Sequence, residues 1–426
     1  MSPTFRSLHV RNYRLFATGQ VISLTGTWMQ RIAQDWLVLR LTDNSGIALG
    51  ITTGLQFLPS LLFSLWGGVL ADRYSKRRLL IITQAFMGVV ALTLGLLDVT
   101  GWVEVWHVWV LAFLLGTGNA IDNPVRQSFV VEIVGREDLP NAVSLNSATF
   151  NMARILGPAL AGLLIAVIDT GPVFLLNALS FIAVIAGLLR MSAEELHPSD
   201  PAPRGRGQLR EVLHYVRGKP ELMLPLTIVA FVATFGLNFQ LTTALMAKEV
   251  FGRGAAHFGL LSSALAAGSL IGALVAARRS RTRHRYVVVG ALAFGVLEVM
   301  AGLMPTYETF MVLLVPTGVA ILTFTTAANT SIQLATSPVM RGRVMGLYLL
   351  VFLGTAPLGS PLMGWIGETF TPRASIVLGG VMSVLGTLLA VALYASRQRL
   401  VIRPHIRPRP HVQIAAQDIV DQGQRA

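Results

Sequence analysis

The chain contains no cysteine, which excludes disulfides and thiolate metal sites. Charge is scarce: Asp, Glu, Lys and Arg make up 13% of 426 residues, against about 25% in a typical soluble domain. No Gly-rich phosphate loop ending in Lys-Ser or Lys-Thr is present, so there is no sign of an ATPase engine. The 8 histidines are few and scattered and suggest no metal site. No grouping of nucleophile, base and oxyanion donors marks an enzyme, and no cofactor is expected. What the chain has in abundance is apolar side chain: 53% hydrophobic residues and a mean hydropathy of +0.62. A soluble protein cannot spread that much apolar surface over its exterior, but a protein whose solvent is lipid can.

Apolar runs of about 20 residues recur, each long enough to cross a bilayer as a helix. They fall near 14–39, 46–71, 79–98, 105–124, 140–168 and 172–190, then near 221–247, 257–277, 286–304, 308–331, 342–367 and 373–395. Helices are the expected element because lipid offers backbone amides no partner. The fold class is therefore an all-α integral membrane protein with twelve spans. Met1 to Arg14 is basic and polar and does not resemble a cleaved signal peptide.

The formal net charge is +13. In a soluble protein this points to nucleic acid; here the bases lie between apolar spans and read as a topology signal. Arg6, Arg11 and Arg14, then Arg73, Lys76, Arg77 and Arg78, then Arg204, Arg206, Arg210, Arg217 and Lys219, then Arg278 to Arg285, then Arg397 to Arg409 fall in alternate connections. That pattern puts both termini in the cytoplasm. The connection between spans four and five fits poorly, since Glu132, Glu137 and Asp138 offset Arg126 and Arg136. Residues 191–220 read as a linker carrying an amphipathic helix, with Leu209, Val212, Leu213 and Val216 on one face. The expected organisation is a first six-helix bundle over 1–190, that linker, a second bundle over 221–395 and a cytoplasmic tail over 396–426. The lack of cysteine and of targeting signals favours a bacterial inner membrane.

The run from Gly67 to Arg78 is the most specific signal: Gly68, Asp72, Arg73, Lys76 and Arg77 resemble the loop motif of the major facilitator superfamily, with Ser75 in place of its second glycine. The resemblance implies two six-helix bundles around a central cavity. It also implies a gate, in which Asp72 faces the dipole at the start of span eleven, near Arg341 and Arg343. A second motif, Gly157-Pro158 with Gly162, lies in mid-span five and resembles the motif of exporters in that superfamily. Proline kinks the helix and glycine permits close packing. Asn123 to Gln127, Glu132, Asn141-Ala142, Trp28-Met29-Gln30 and Trp36-Leu37-Val38 are similar to the enterobactin-exporter and macrolide-efflux branch.

Few ionisable groups lie inside the spans. Arg31 and Asp35 are one helical turn apart in span one, which lines the cavity in the resembled family. They read either as a fixed pair near the outer mouth or as a proton-coupling pair led by Asp35. Arg154 in span five and Glu298 in span nine are further coupling candidates, with Glu298 expected near lipid. Gln34, Gln56, Asn238 and Asn329 are polar groups on apolar spans, and Phe235, Phe239 and Phe324 offer an apolar wall. These seven are the substrate-binding candidates.

The resemblance implies a monomeric exporter of a small amphipathic molecule, coupled to protons, with membrane lipid as its surroundings and no nucleic-acid partner. A nutrient importer or uniporter of the same fold and a non-transporting lipid-handling protein are the alternatives.

Overall fold

The computed structural model describes residues 3–197, 208–277, 284–398, 400–405 and 411–416. The first half holds α1 (Arg11–Leu41), α2 (Gly46–Arg73), α3 (Lys76–Val99), α4 (Val105–Ile168) and α5 (Thr170–Leu189). A short amphipathic helix, α6 (Gln208–Arg217), buries Val212 and Val216. The second half holds α7 (Pro220–Phe231), α8 (Phe239–Leu245), α9 (Ala255–Ala277), α10 (His284–Gly302), α11 (Tyr307–Ala335), α12 (Pro338–Gly354), α13 (Ala356–Thr369) and α14 (Pro372–Gln398). Beyond α14 the chain makes a small antiparallel hairpin, Leu400–His405 with His411–Ala416, a departure from a purely helical chain.

Among the described residues, ten stretches are long and apolar enough to cross a membrane. The two legs that fall short by composition are α1 and residues 105–134 of α4, and their polar groups explain why. Arg126 donates to Gln20 at 2.8 Å, and Asp122 accepts from Thr83 at 2.9 Å and Gln84 at 2.8 Å. Lys76 pairs with Glu132 at 2.5 Å. Each of these named side chains meets a partner inside the helix bundle, which offsets the cost of carrying it across. With them the fold has twelve spans in two bundles.

Two spans and one connection depart from the simple pattern of smooth helices joined by loops. The expected break between spans four and five, from 125 to 139, is itself helical. The chain runs on through Pro124, turns at Gly135 (φ 70°) and resumes through Pro140. A proline removes one backbone bond, and neighbouring helices make that tolerable at membrane depth. The positive φ at Gly135 is the conformation that glycine adopts without steric cost. The acids that fit the charge pattern poorly are also accounted for: Asp138 pairs with Arg6 at 2.9 Å, Glu137 also bonds Arg6, and Glu132 holds Lys76.

Span seven breaks between α7 and α8. A widened turn, Val232–Gly236, precedes Leu237 and Asn238. Asn238 donates to the carbonyl of Thr234 at 2.9 Å, satisfying a freed acceptor, and accepts from Ser360 at 2.8 Å. Span eleven breaks at Thr355, between α12 and α13.

One end of the molecule holds Arg11, Arg73, Lys76 and Arg397; it is called the terminal end, and the opposite end the far end. Contacts that join the two halves gather at the far end and in the middle. Along α2 and α13, a Cβ at Gly46 would lie 2.5 Å from the carbonyl oxygen of Gly364, and one at Gly50 would lie 2.4 Å from that of Ser360. Along α4 and α9, a Cβ at Gly259 would lie 2.2 Å from the carbonyl oxygen of Pro158, and one at Gly162 would lie 2.7 Å from that of Ala255. Only residues without side chains let backbones approach so closely.

At the terminal end the described polar contacts stay within a half. Arg77 donates to the carbonyls of Leu188 and Leu189, and Arg343 pairs with Glu211 of α6 at 2.7 Å. Gly342 and Gly346, on the terminal part of α12, meet no described atom within 4 Å of an added Cβ. Among the described residues, close backbone contacts join the halves at the far end, and no polar contact joins them at the terminal end.

Candidate functional site

A cavity of about 210 Å³ lies where the two halves cross. The first half contributes Trp28, Arg31 and Ile32 from α1 and Arg154 and Pro158 from α4. The second half contributes Leu237, Phe239 and Gln240 from the broken span seven, Ser262 and Leu265 from α9, and Ile321 from α11.

Arg31 and Asp35 share a face of α1, as their spacing requires, but their side chains part. The Arg31 guanidinium lies 4.6 Å from the ring centre of Trp28 and 5.9 Å from that of Phe57. Its Nε is buried without a hydrogen-bond partner. Such stacking holds a cation in place while leaving donors free for an anion. Asp35 is 1% exposed and turns toward the other half, accepting a hydrogen bond from Gln240 Nε2 at 2.7 Å. Arg154 also reaches across, donating to Ser269 of α9 at 2.5 Å. Three of the four coupling candidates therefore gather at the junction of the halves.

Glu298 does not join them. It is 3% exposed and lies inside the second half, a correction to the expectation of a lipid-facing acid. Its carboxyl occupies the space that side chains at Gly236 and Gly379 would need, 2.9 Å and 2.8 Å from their ideal Cβ positions. Oε2 has no hydrogen-bond partner. Span nine packs this face on α14 and on the widened turn of span seven, and that packing brings the acid inward.

Of the seven substrate-binding candidates, Phe239 lines the cavity. The other six do not line it. Asn238 braces the break in span seven. Phe324 is 0% exposed, and its backbone lies against Gly290 of α10. Phe235 packs on Phe231, with ring centres 6.2 Å apart. Gln56 is buried where α2 meets Gly116 of α4. Asn329 accepts from Gln333 at 2.5 Å. Gln34 is 1% exposed, with its amide nitrogen unpartnered. Aromatic and amide side chains at helical spacing look alike in a sequence whether they face a cavity or a neighbouring helix.

Trp28 and Thr243 are among the cavity residues outside the expected binding wall, and Gln240, a further polar group on an apolar span, also lines it. The polar cluster Asn238-Phe239-Gln240 in an apolar span was the available signal; which member faced the cavity depended on the break in the helix.

In the span-five motif, a Cβ at Gly157 would lie 2.5 Å from Trp28 Cβ, while Pro158 lines the cavity and Gly162 touches α9. The motif thus packs span five onto α1 on one side and onto the second half on the other. In the charged motif, Arg73 is exposed and Lys76 and Arg77 are held within the first half. The side chains of Gly68 and Asp72 lie outside the described residues, as do the bases of the eighth connection, 278–283. Arg341 is exposed, and Arg343 is engaged with Glu211.

Residues 2–414 match the family model described as transmembrane secretion effector. The chain belongs to this family. Relatives of this secretion family member include the staphyloferrin A transporter of Staphylococcus aureus, 27% identical over 265 residues. That match covers 62% of this chain and 66% of the relative, just under two thirds of its length. The enterobactin exporter EntS of Shigella boydii serotype 18 is 23% identical over 407 residues, covering 93% of each chain.

Among solved structures, a bacterial homologue of the lysosomal transporter Spinster, inward-facing and unoccupied, superposes with a TM-score of 0.70 at 16% identity. It covers 93% of this chain and 98% of that one. The nucleoside transporter NupG gives 0.71 at 12% identity, covering 90% and 99%. These likenesses show the fold of the major facilitator superfamily. The protein is a multi-pass membrane transporter of small molecules, not an enzyme.

Proposed function

We propose that this protein exports a small amphipathic, anionic organic molecule, of the siderophore kind its relatives handle, in exchange for protons. The observation that carries the reading is the junction at the cavity. Asp35 of the first half is bound to Gln240 of the second, beside Arg31 and Arg154. A carboxylate that bonds across the junction links protonation to the fit between the halves. Protonation weakens a charge-assisted hydrogen bond, and the halves then move more freely.

In this reading Arg31 and Arg154 take the cargo's anionic groups, while Trp28 and Phe239 take its apolar part. Desolvation favours the neutral acid, and nearby guanidinium favours the carboxylate. For exchange, cargo and proton are carried in turn: the cargo-bound form is the one with Asp35 ionised and bonded to Gln240, the two guanidinium groups balancing both anions, and the form protonated at Asp35 returns empty. Coupling is assigned to Asp35, with Arg31 and Arg154 modulating it; Glu298 lies away from the cavity. Gly157, Pro158 and Gly162 fix the span that both halves pack on. Gly68, Asp72, Arg73, Lys76, Arg77, Arg341 and Arg343 gate the terminal end. The proton gradient drives the cycle and no cofactor is used.

The reading takes the terminal end as cytoplasmic, so that the bases lie inside a bacterial inner membrane. The cavity then opens to the cytoplasm, where an exporter loads. The protein works as a monomer among membrane lipids, with no nucleic-acid partner. The exporter relatives and the Gly-Pro motif favour export over nutrient import.

Reconstitution into liposomes tests it. With an imposed proton gradient, labelled anionic siderophores are expected to move against it in wild type. Asp35→Asn is expected to abolish the gradient dependence. Cargo movement that ignores the gradient in wild type sinks the antiport mechanism.

A further inference from the structure

The far end is closed by more than small residues. Glu368, near the end of α13, reaches the start of α2 in the other half. Its Oε2 accepts from Ser45 Oγ at 2.6 Å and from the backbone amide of Ile47 at 2.9 Å. Ser45 is itself the N-cap of α2 and accepts from Ala48 N at 3.1 Å. A free amide in the first turn of a helix lacks an intrahelical partner and sits at the positive end of the dipole. Glu368 supplies the missing acceptor and the complementary charge from across the junction.

The contact is set by the seam beside it. Gly46 and Gly364 approach each other's backbones closely enough that neither tolerates a Cβ without a shift, and Gly50 lies against Ser360 one turn further in. Any separation of α2 from α13 carries Ser45 and Ile47 away from Glu368.

We infer that Glu368 is a positioning residue for transport, the latch that holds the far end shut in this conformation. The inference rests on the export reading above, in which the two halves open the cavity to each side of the membrane in turn. It gives the same two spans a latch at each end with the roles exchanged. At the terminal end, the charged motif puts its acid on the last turn of α2, and the resemblance aims that acid at the start of α12. At the far end, the acid is on α13 and the helix start belongs to α2.

The latch is exposed to solvent, so its strength is modest, as solvent screening requires. A weak latch suits a gate that must open in every cycle. A fully buried ion pair in the same place would hold one conformation against the other.

The absence of native cysteine makes the test direct. Spin labels are attached through Trp102→Cys in the first half and Phe370→Cys in the second, both exposed at the far end. The distance distribution is measured in nanodiscs on the full chain, without cargo and without a gradient. The closed-end distance is expected to dominate in the Glu368-containing protein. Glu368→Ala is expected to raise the ratio of open to closed populations about fivefold, the effect of losing one modest hydrogen-bonded contact. Glu368→Gln keeps the volume and one acceptor and is expected to fall between the two, which separates latch loss from misfolding. An unchanged distribution in Glu368→Ala overturns the latch. Because the readout needs no cargo or protons, its failure leaves the antiport proposal standing, and the reverse also holds.

Discussion

The two halves share a fold but solve the problem of burying polar groups differently. The first half threads a paired network through its centre. Asp122 is 1% exposed and is held by Thr83, Gln84 and Arg126, and Arg126 in turn holds Gln20. Gln30 bonds Asn177, and Lys76 closes on Glu132. The second half satisfies its polar groups mostly within single helices. Thr317 donates to the carbonyl of Leu313 at 2.7 Å, Thr387 to that of Ser383 at 2.7 Å, and Ser383 to that of Gly379 at 2.8 Å. Glu298 is the acid buried at its centre among the described residues. A network tied between helices fixes their relative positions. Bonds that return to their own helix leave helices free to slide and bend, and the second half carries the breaks at 237–238 and 355. The difference assigns a rigid, charge-bearing frame to the first half and a more deformable wall to the second.

The largest expected effect tests the frame. Asp122→Ala leaves the buried Thr83 and Gln84 without their acceptor and the partly exposed Arg126, still bonded to Gln20, without its carboxylate, and unpairing buried donors costs about 1–3 kcal/mol. Reversible unfolding in mixed micelles is expected to show a loss of that size. A loss under about 1 kcal/mol would put the frame on the same footing as the second half.

A smaller effect tests the other side of the comparison. Glu298→Gln keeps the shape of a side chain whose Oε2 makes no hydrogen bond, so stability is expected to change by less than about 1 kcal/mol. Gradient-driven export is expected to persist. If Glu298→Gln abolishes coupling while Asp35→Asn does not, the charge-bearing role moves to the second half and the comparison is reversed.

The smallest effect concerns the strap between the halves. Lys219 Nζ donates to Tyr215 Oη at 2.9 Å, and this bond, with that from the Ser337 amide, brings the Tyr215 hydroxyl down to about 8 from 10.0. The folded value lies below the unfolded one, so the fold favours the ionised form. Its contribution is present above the unfolded value and is lost as pH falls through about 8. The difference in tyrosinate absorbance between wild type and Tyr215→Phe is expected to rise near pH 8. In Lys219→Met the step is expected to move up toward 10.0.

Much of the fold was legible because lipid imposes it. Runs such as 172–190 and 373–395 have no stable alternative to helix at membrane depth. In the connection from 125 to 139, nothing local reveals that the chain stays helical through Pro124 and Pro140, because neighbouring helices make those prolines tolerable. Asp35 stood out as an acid in an apolar span. That Gln240 is its partner was not legible, because 205 positions separate them and one amide in an apolar span resembles another. Glu298 was legible as an acid but not as an inward one, since a single span has no marker of which face meets lipid when Gly236 and Gly379, the residues that make room, lie on other helices.

The sequence by itself determined the solvent, the helical class, the twelve spans and the short list of charges inside them, because each follows from the cost of placing polar groups in hydrocarbon. Tertiary structure alone decided which of those charges meet at the junction, which end is sealed and where the helices break. Those features depend on contacts between residues hundreds of positions apart, and close approach at Gly46 and Gly364 or at Gly259 and Pro158 exists only once two bundles have been brought face to face.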